Sequence, residues 1–219
     1  MKSQDVGILL KLICLQKHDQ GFQSAVRVKG WKDWEPENQD ELSLESGFNE
    51  STDPALKDET QIMSQYSVRS LAHFTGISKS QVNLALQRCF DVGLAKRDRQ
   101  TKVPRANIPA LTEFIIYGLR YVFPVKLGTI TRGISTSLAA PVLESNLFSA
   151  GELLPVWPDA RGKTKGQKVE PLFKSVTYAI RRDPQLYALL ALVDAIRIGQ
   201  PRERKLAIQL FKQHMENKD

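Results

Sequence analysis

One short stretch limits the possible folds more than any other. Residues 67–86 read SVRSLAHFTGISKSQVNLAL. Gly76 lies four residues after Ala72 and six before Val82. Two helices that cross steeply need a tight turn, and glycine tolerates the positive φ such a turn demands. Ser67 is placed to cap a first helix, with Leu71 and Ala72 facing inward. Ala72 is small where the helices touch, and Ile77 plugs the angle between them. Ser78 caps the second helix, and Gln81, three residues on, completes a capping box. Val82 and Leu86 face the core. This spacing defines a helix-turn-helix, the alternative being an ordinary helical hairpin with glycine in its turn.

The outward face of the second helix, residues 78–91, carries Ser78, Lys79, Ser80, Gln81 and Asn83, with Gln87 and Arg88 further round. Asn and Gln can bond adenine bidentately, and Lys can bond guanine O6/N7. No acid lies between Phe74 and Phe90, so nothing on this face repels phosphate. On the first helix, Ser67 and Arg69 are weaker candidates for phosphate contact. Gly93 then ends the second helix, and a short hairpin with Gln100-Thr101 at its tip is expected over residues 95–109. Lys96, Arg97, Arg99, Lys102 and Arg105 crowd it. A basic hairpin after a helix-turn-helix reads as a wing that touches phosphates or the minor groove.

The charge pattern agrees. The chain of 219 residues carries a net charge of +7. Residues 66–105 hold eight Lys or Arg against two acids, whereas residues 19–65 hold four against eleven. A concentrated basic window is the footprint of a polyanion binder.

The segment SVRSLAHFTGISKSQVNLALQRCFDVGLAKRD (residues 67–98) resembles the DNA-binding core of MarR-like winged helix-turn-helix regulators, in which Gly-Leu after the recognition helix introduces the wing. The likeness covers roughly residues 5–17 and 66–122. LVDAIRIGQPRERKLA (residues 192–207) is similar to winged-helix proteins of bacterial defence or toxin–antitoxin operons. The resemblance implies a cytoplasmic, bacterial, sequence-specific binder of double-stranded DNA that represses transcription as a homodimer. Competing readings are a protein-interaction module, such as an antitoxin or adaptor, and a plasmid or phage replication or partition protein.

Elsewhere the reading is coarser. Residues 5–17 form a dense apolar helix capped by Asp5, destined for a core or a dimer interface. Residues 18–65 read as an acidic insertion whose Trp31, Trp34 and Phe48 argue that parts of it dock, and a short helix is expected after Pro54. Residues 110–122 suit an amphipathic helix that Pro124 stops. Residues 123–170 are strand or loop, with Arg161, Lys163, Lys165 and Lys168 on a basic loop. Asp183 and Pro184 open a helix to Gly199, with an apolar stripe of Leu186, Leu189, Leu190, Val193 and Ile196. A last helix follows Pro201 with Leu206, Leu210 and Met215 inward, and Asp194 and Arg197 are expected to pair with residues 202–205. The expected architecture is mainly α with a small β-wing. Residues 1–122 form the winged helix-turn-helix domain, and residues 123–219 form a C-terminal dimerisation or regulatory region that ends in a helical hairpin.

Several chemistries find no support. Cys14 and Cys89 are too few for a disulfide scaffold or a structural zinc site and read as buried thiols. His18, His73 and His214 lack ligand spacing. Gly162-Lys163-Thr164 lacks the glycine that a phosphate loop needs at position 157, which is Trp. No catalytic grouping stands out and no cofactor is called for, so the chain reads as a non-enzyme. No apolar run reaches the length of a membrane span, and the N-terminus lacks a signal-peptide pattern.

Overall fold

The computed structural model describes residues 1–20, 32–35, 63–144 and 153–216. It is mostly helical, with one two-stranded and one three-stranded sheet. The helix expected after Pro54, and Trp31 and Phe48, lie outside the described residues.

Helix α1 (Ser3–Asp19) is the axis of the molecule. Val6, Ile8, Leu9, Leu10, Leu12 and Ile13 are fully buried. Each such side chain contributes about 2 kcal/mol of transfer free energy. A helix apolar on every side must be enclosed on every side. Here α2 (Val68–Thr75), α3 (Lys79–Asp91) and the hairpin enclose it together with the C-terminal α8 (Pro184–Ile198). It is therefore enclosed in the core, the first of the two places expected for it. Asp5 is not the cap either. The helix starts at Ser3, and the Asp5 carboxylate accepts from the Lys2 amide at 2.7 Å one turn in.

The hairpin strands are β1 (Ala95–Arg97) and β2 (Pro104–Ala106). The apolar segment after them runs as α4 (Ile108–Glu113), a π-helical turn (Phe114–Gly118) and α5 (Leu119–Val122). Strands β3 (Ile130–Ser135), β4 (Pro155–Pro158) and β5 (Thr164–Lys168) then close a miniature barrel. In it β3 runs antiparallel to both others, and β4 and β5 are parallel. A 3-10 turn (Ser137–Ala139) and α6 (Pro141–Glu144) follow β3. Lys165 and Lys168 thus sit on a strand rather than on a basic loop. Lys165 stands directly opposite Arg132 across the β3–β5 ladder, and both are exposed.

Part of the acidic segment docks, as its aromatics led one to expect. Trp34 is buried, bridges to Gly162 and sets its ring edge-on to Tyr187 at 6.2 Å. Beside it, the Asp33 carboxylate accepts from the Ser135 amide at 2.7 Å and from the Ser135 and Thr164 hydroxyls at 2.6 and 2.9 Å. This anchor lies on the barrel.

Two further helices, α7 (Val176–Ile180) and α9 (Pro201–Glu216), flank α8. Asp183 caps α8 and Pro184 opens it, as expected. The one-sided stripe is not what is found, because every residue from Leu186 to Arg197 is buried. On α9 the inward residues are Ala207, Phe211 and Met215, with Leu206 and Leu210 half-buried at the margin. Asp194 and Arg197 do not pair with residues 202–205. They pair with each other at 2.7 Å, and Asp194 also accepts from the Trp157 indole at 2.7 Å and the Thr136 hydroxyl at 3.2 Å. Burial pushes the Asp194 carboxyl above the ordinary carboxylate range, against the pull of Arg197. Both cysteines are buried thiols, and burial raises each above the usual thiol range.

Candidate nucleic-acid interface

Helices α2 and α3 meet at the turn that the spacing predicts. The Ser67 hydroxyl caps α2 by accepting from the Ser70 amide at 3.1 Å. Gly76 takes φ +68°, the left-handed conformation that glycine adopts without strain. Ile77, Val82, Leu86 and Cys89 are buried beneath α3. The Ser78 hydroxyl accepts from the Gln81 amide at 3.4 Å. The other half of the capping box is replaced, since the Gln81 side chain instead accepts from Gln4 of α1 at 3.1 Å.

This geometry sorts the candidate residues. Ser78, Lys79, Ser80, Asn83 and Gln87 are all exposed on the outer face of α3, and Gln81 is half-buried. Arg88 does not join them. Its Nε and Nη2 donate to the two carboxylate oxygens of Asp5 at 2.9 and 2.6 Å, and Asp5 is wholly buried. A bidentate pair of this kind ties α3 to α1 and engages the Nε–Nη2 edge of the guanidinium. On α2, Ser67 and Arg69 are exposed, as is His73.

The hairpin presents Lys96, Arg97, Arg99 and Lys102, all exposed. Arg97 lies over the Phe90 ring at 4.9 Å, a cation–π contact that steers it along the end of α3. The tip is held by Asp98, whose carboxylate accepts from the amides of Gln100 and Thr101 and from the Thr101 hydroxyl. Those bonds hold its carboxyl below the usual range. Arg105 is the exception among the hairpin cations. It turns inward to Asp19 at 3.2 Å and to the Tyr66 hydroxyl at 2.6 Å. Burial, reinforced by Asp19, pushes the Tyr66 hydroxyl well up. Arg105 therefore fastens the hairpin base to α1.

The surface thus combines four polar side chains exposed on one helix face, Lys79, Ser80, Asn83 and Gln87, with four cations on the adjacent hairpin. One contact had no local signal in the sequence. The Ser175 hydroxyl donates to the Thr75 carbonyl at 2.7 Å, across a hundred residues. A Cβ on Gly76 would lie 2.9 Å from Ser175 Cβ and 2.9 Å from Tyr178 Cδ1. Helix α7 therefore packs directly on the turn between α2 and α3.

No protein-family model matches this chain, and no curated protein or solved structure matches it either. Among the described residues, no helix is long and apolar enough to cross a membrane. The chain is a mainly helical protein with two small sheets.

Proposed function

We propose that the protein is a winged helix-turn-helix binder of double-stranded DNA that reads sequence and regulates transcription, most simply as a repressor. The observation that carries this reading is the polar outer face of α3, whose one acid, Asp91, is its last residue, beside the cationic hairpin. Helix α3 enters the major groove with Lys79, Ser80, Asn83 and Gln87 toward base edges. Lys96, Arg97, Arg99 and Lys102 hold phosphates as the wing. Arg88 and Arg105 support the surface from behind.

A salt titration of duplex binding tests this. Affinity should fall steeply on a log–log plot, and Arg97→Ala should reduce the slope by about one. Asn83→Ala should change sequence preference in a selection from random duplexes. Absence of duplex binding at low salt would remove the reading.

A separate observation favours a protein partner in addition. Tyr117 and Tyr121, one helical turn apart, are 70% and 76% exposed, next to exposed Val122. Large exposed aromatics are the usual anchors of interfaces. With α1 and α8 enclosed, this face is where we place the contact of a homodimer. Light scattering that shows a strict monomer at high micromolar concentration, with and without DNA, would rule the dimer out.

A further inference from the structure

The C-terminal region packs where it can also touch DNA. Ser175 and Tyr178 sit on the turn at Gly76, immediately before Ser78 and Lys79 open α3. Their neighbours in sequence are basic. Lys174 is exposed and makes no ion pair among the described residues. Arg182 lies over the Tyr178 ring at 3.8 Å and donates to the Tyr178 carbonyl at 3.2 Å. That contact holds the guanidinium on Tyr178, whose ring packs on the turn, and among the described residues no carboxylate pairs with it. The next residue, Asp183, does not neutralise it, because Asp183 is bound by Lys11 at 2.8 Å and caps α8. Arg181 is likewise engaged, with Asp159 at 2.5 Å.

Cations therefore stand at both ends of α3. The hairpin flanks its C-terminal end, where Arg97 overlies Phe90. Lys174 and Arg182 flank its N-terminal end. The helix has 13 residues and spans roughly 20 Å at 1.5 Å per residue. The major groove is about 12 Å wide, so the two ends of an inserted helix of this length lie near different stretches of phosphate backbone.

We propose that Lys174 and Arg182 form a second phosphate clamp, which grips the backbone on the side of the groove opposite the hairpin. The proposal rests on the DNA-binding reading above and extends it to a segment that belongs to neither the helix pair nor the hairpin. The clamp reads no bases. It sets how the axis of α3 lies across the groove, and it makes the C-terminal region part of the interface.

The test measures affinity for a random-sequence duplex and for a selected duplex across a range of KCl concentrations. It compares the wild type with Lys174→Ala, Arg182→Ala, Arg97→Ala and Lys212→Ala, the last a change of an exposed cation on α9. Lys174→Ala and Arg182→Ala should each lower the salt slope by about one and leave sequence preference unchanged. Lys212→Ala should leave the slope intact. Lys174 is exposed, so its variant folds even if loss of the Arg182 stacking disturbs α7. Wild-type slopes for Lys174→Ala, alongside a reduced slope for Arg97→Ala, would overturn the clamp and leave the function standing. An equal loss for Lys212→Ala would also overturn it, by showing only an effect of total charge. A wild type that binds no duplex would remove the function, and the clamp with it.

Discussion

Arg88 of α3 holds Asp5 of α1 by two charge-assisted bonds, 2.9 and 2.6 Å long. The carboxylate is wholly buried, and the guanidinium keeps one edge in water. Removing the arginine would strand a buried charge. Arg88→Ala should therefore destabilise the fold by about 3 kcal/mol, toward the low end for a broken buried pair because Arg88 is partly solvated. The double change Arg88→Leu with Asp5→Leu should recover much of that loss. Denaturant unfolding of the two variants measures both. A surface arginine serving only DNA would give a change near zero.

Gly76 and Gly93 both adopt positive φ, at +68° and +71°. Their surroundings differ. A Cβ on Gly76 meets Ser175 and Tyr178, whereas a Cβ on Gly93 meets nothing within 4 Å. Gly93→Ala should cost about 1 kcal/mol, the backbone penalty alone. Gly76→Ala should cost clearly more, because α7 must also give way. Thermal melts of the pair compare them directly, and equal shifts would show that α7 does not press on the turn.

How far the sequence disclosed this fold follows from what each signal encodes. The turn at Gly76, the caps at Ser67, Ser78 and Asp183, and the hairpin are local, set by a few adjacent residues, and they read correctly. The enclosure of α1 and α8 is not local. Their apolar density called for burial, but a self-contained core and a dimer interface place the same demand on a helix. Arg88 and Arg105 carry the same charge as Arg97, and only the fold shows that Asp5 and Asp19 claim them. The barrel strands were hidden because a Gly or Pro stands in each of them, at Gly133, Pro155, Pro158 and Gly166. The partnership of Ser175 with Thr75 leaves no trace in any window of sequence.

His214 is held below the ordinary histidine range by burial in the first place and by Lys17 in the second. The Lys17 ammonium donates to the His214 carbonyl. In the unfolded chain the imidazole takes up its proton near pH 6.5, but in the fold only at lower pH. The unfolded state binds more protons between those values, so stability should fall as pH drops below about 6.5. Melting temperature followed from pH 7.5 to 5 should show this decline, and His214→Gln should flatten it over that window. An unchanged profile would mean another group is responsible.

Arg132 and Lys165 face each other across the β3–β5 ladder with like charge. Opposite charges at such a position contribute about 0.2–1 kcal/mol, and like charges oppose pairing. Arg132→Glu should therefore raise stability by several tenths of a kcal/mol, read as a higher denaturant midpoint at low salt. The gain should shrink in strong salt.

The packing of α7 on Gly76, with α8 against α1, also bears on how this chain can be divided. Cutting after Val122 would look natural, since both helices and the hairpin precede it. The resulting piece would lose the wall on one side of α1 and bare a strip of Leu and Ile that water cannot accommodate. Such a fragment would clump before it met any ligand. The helix pair with its hairpin and the C-terminal half therefore share one packed core, and Ser175 and Tyr178 of the second press on the turn of the first.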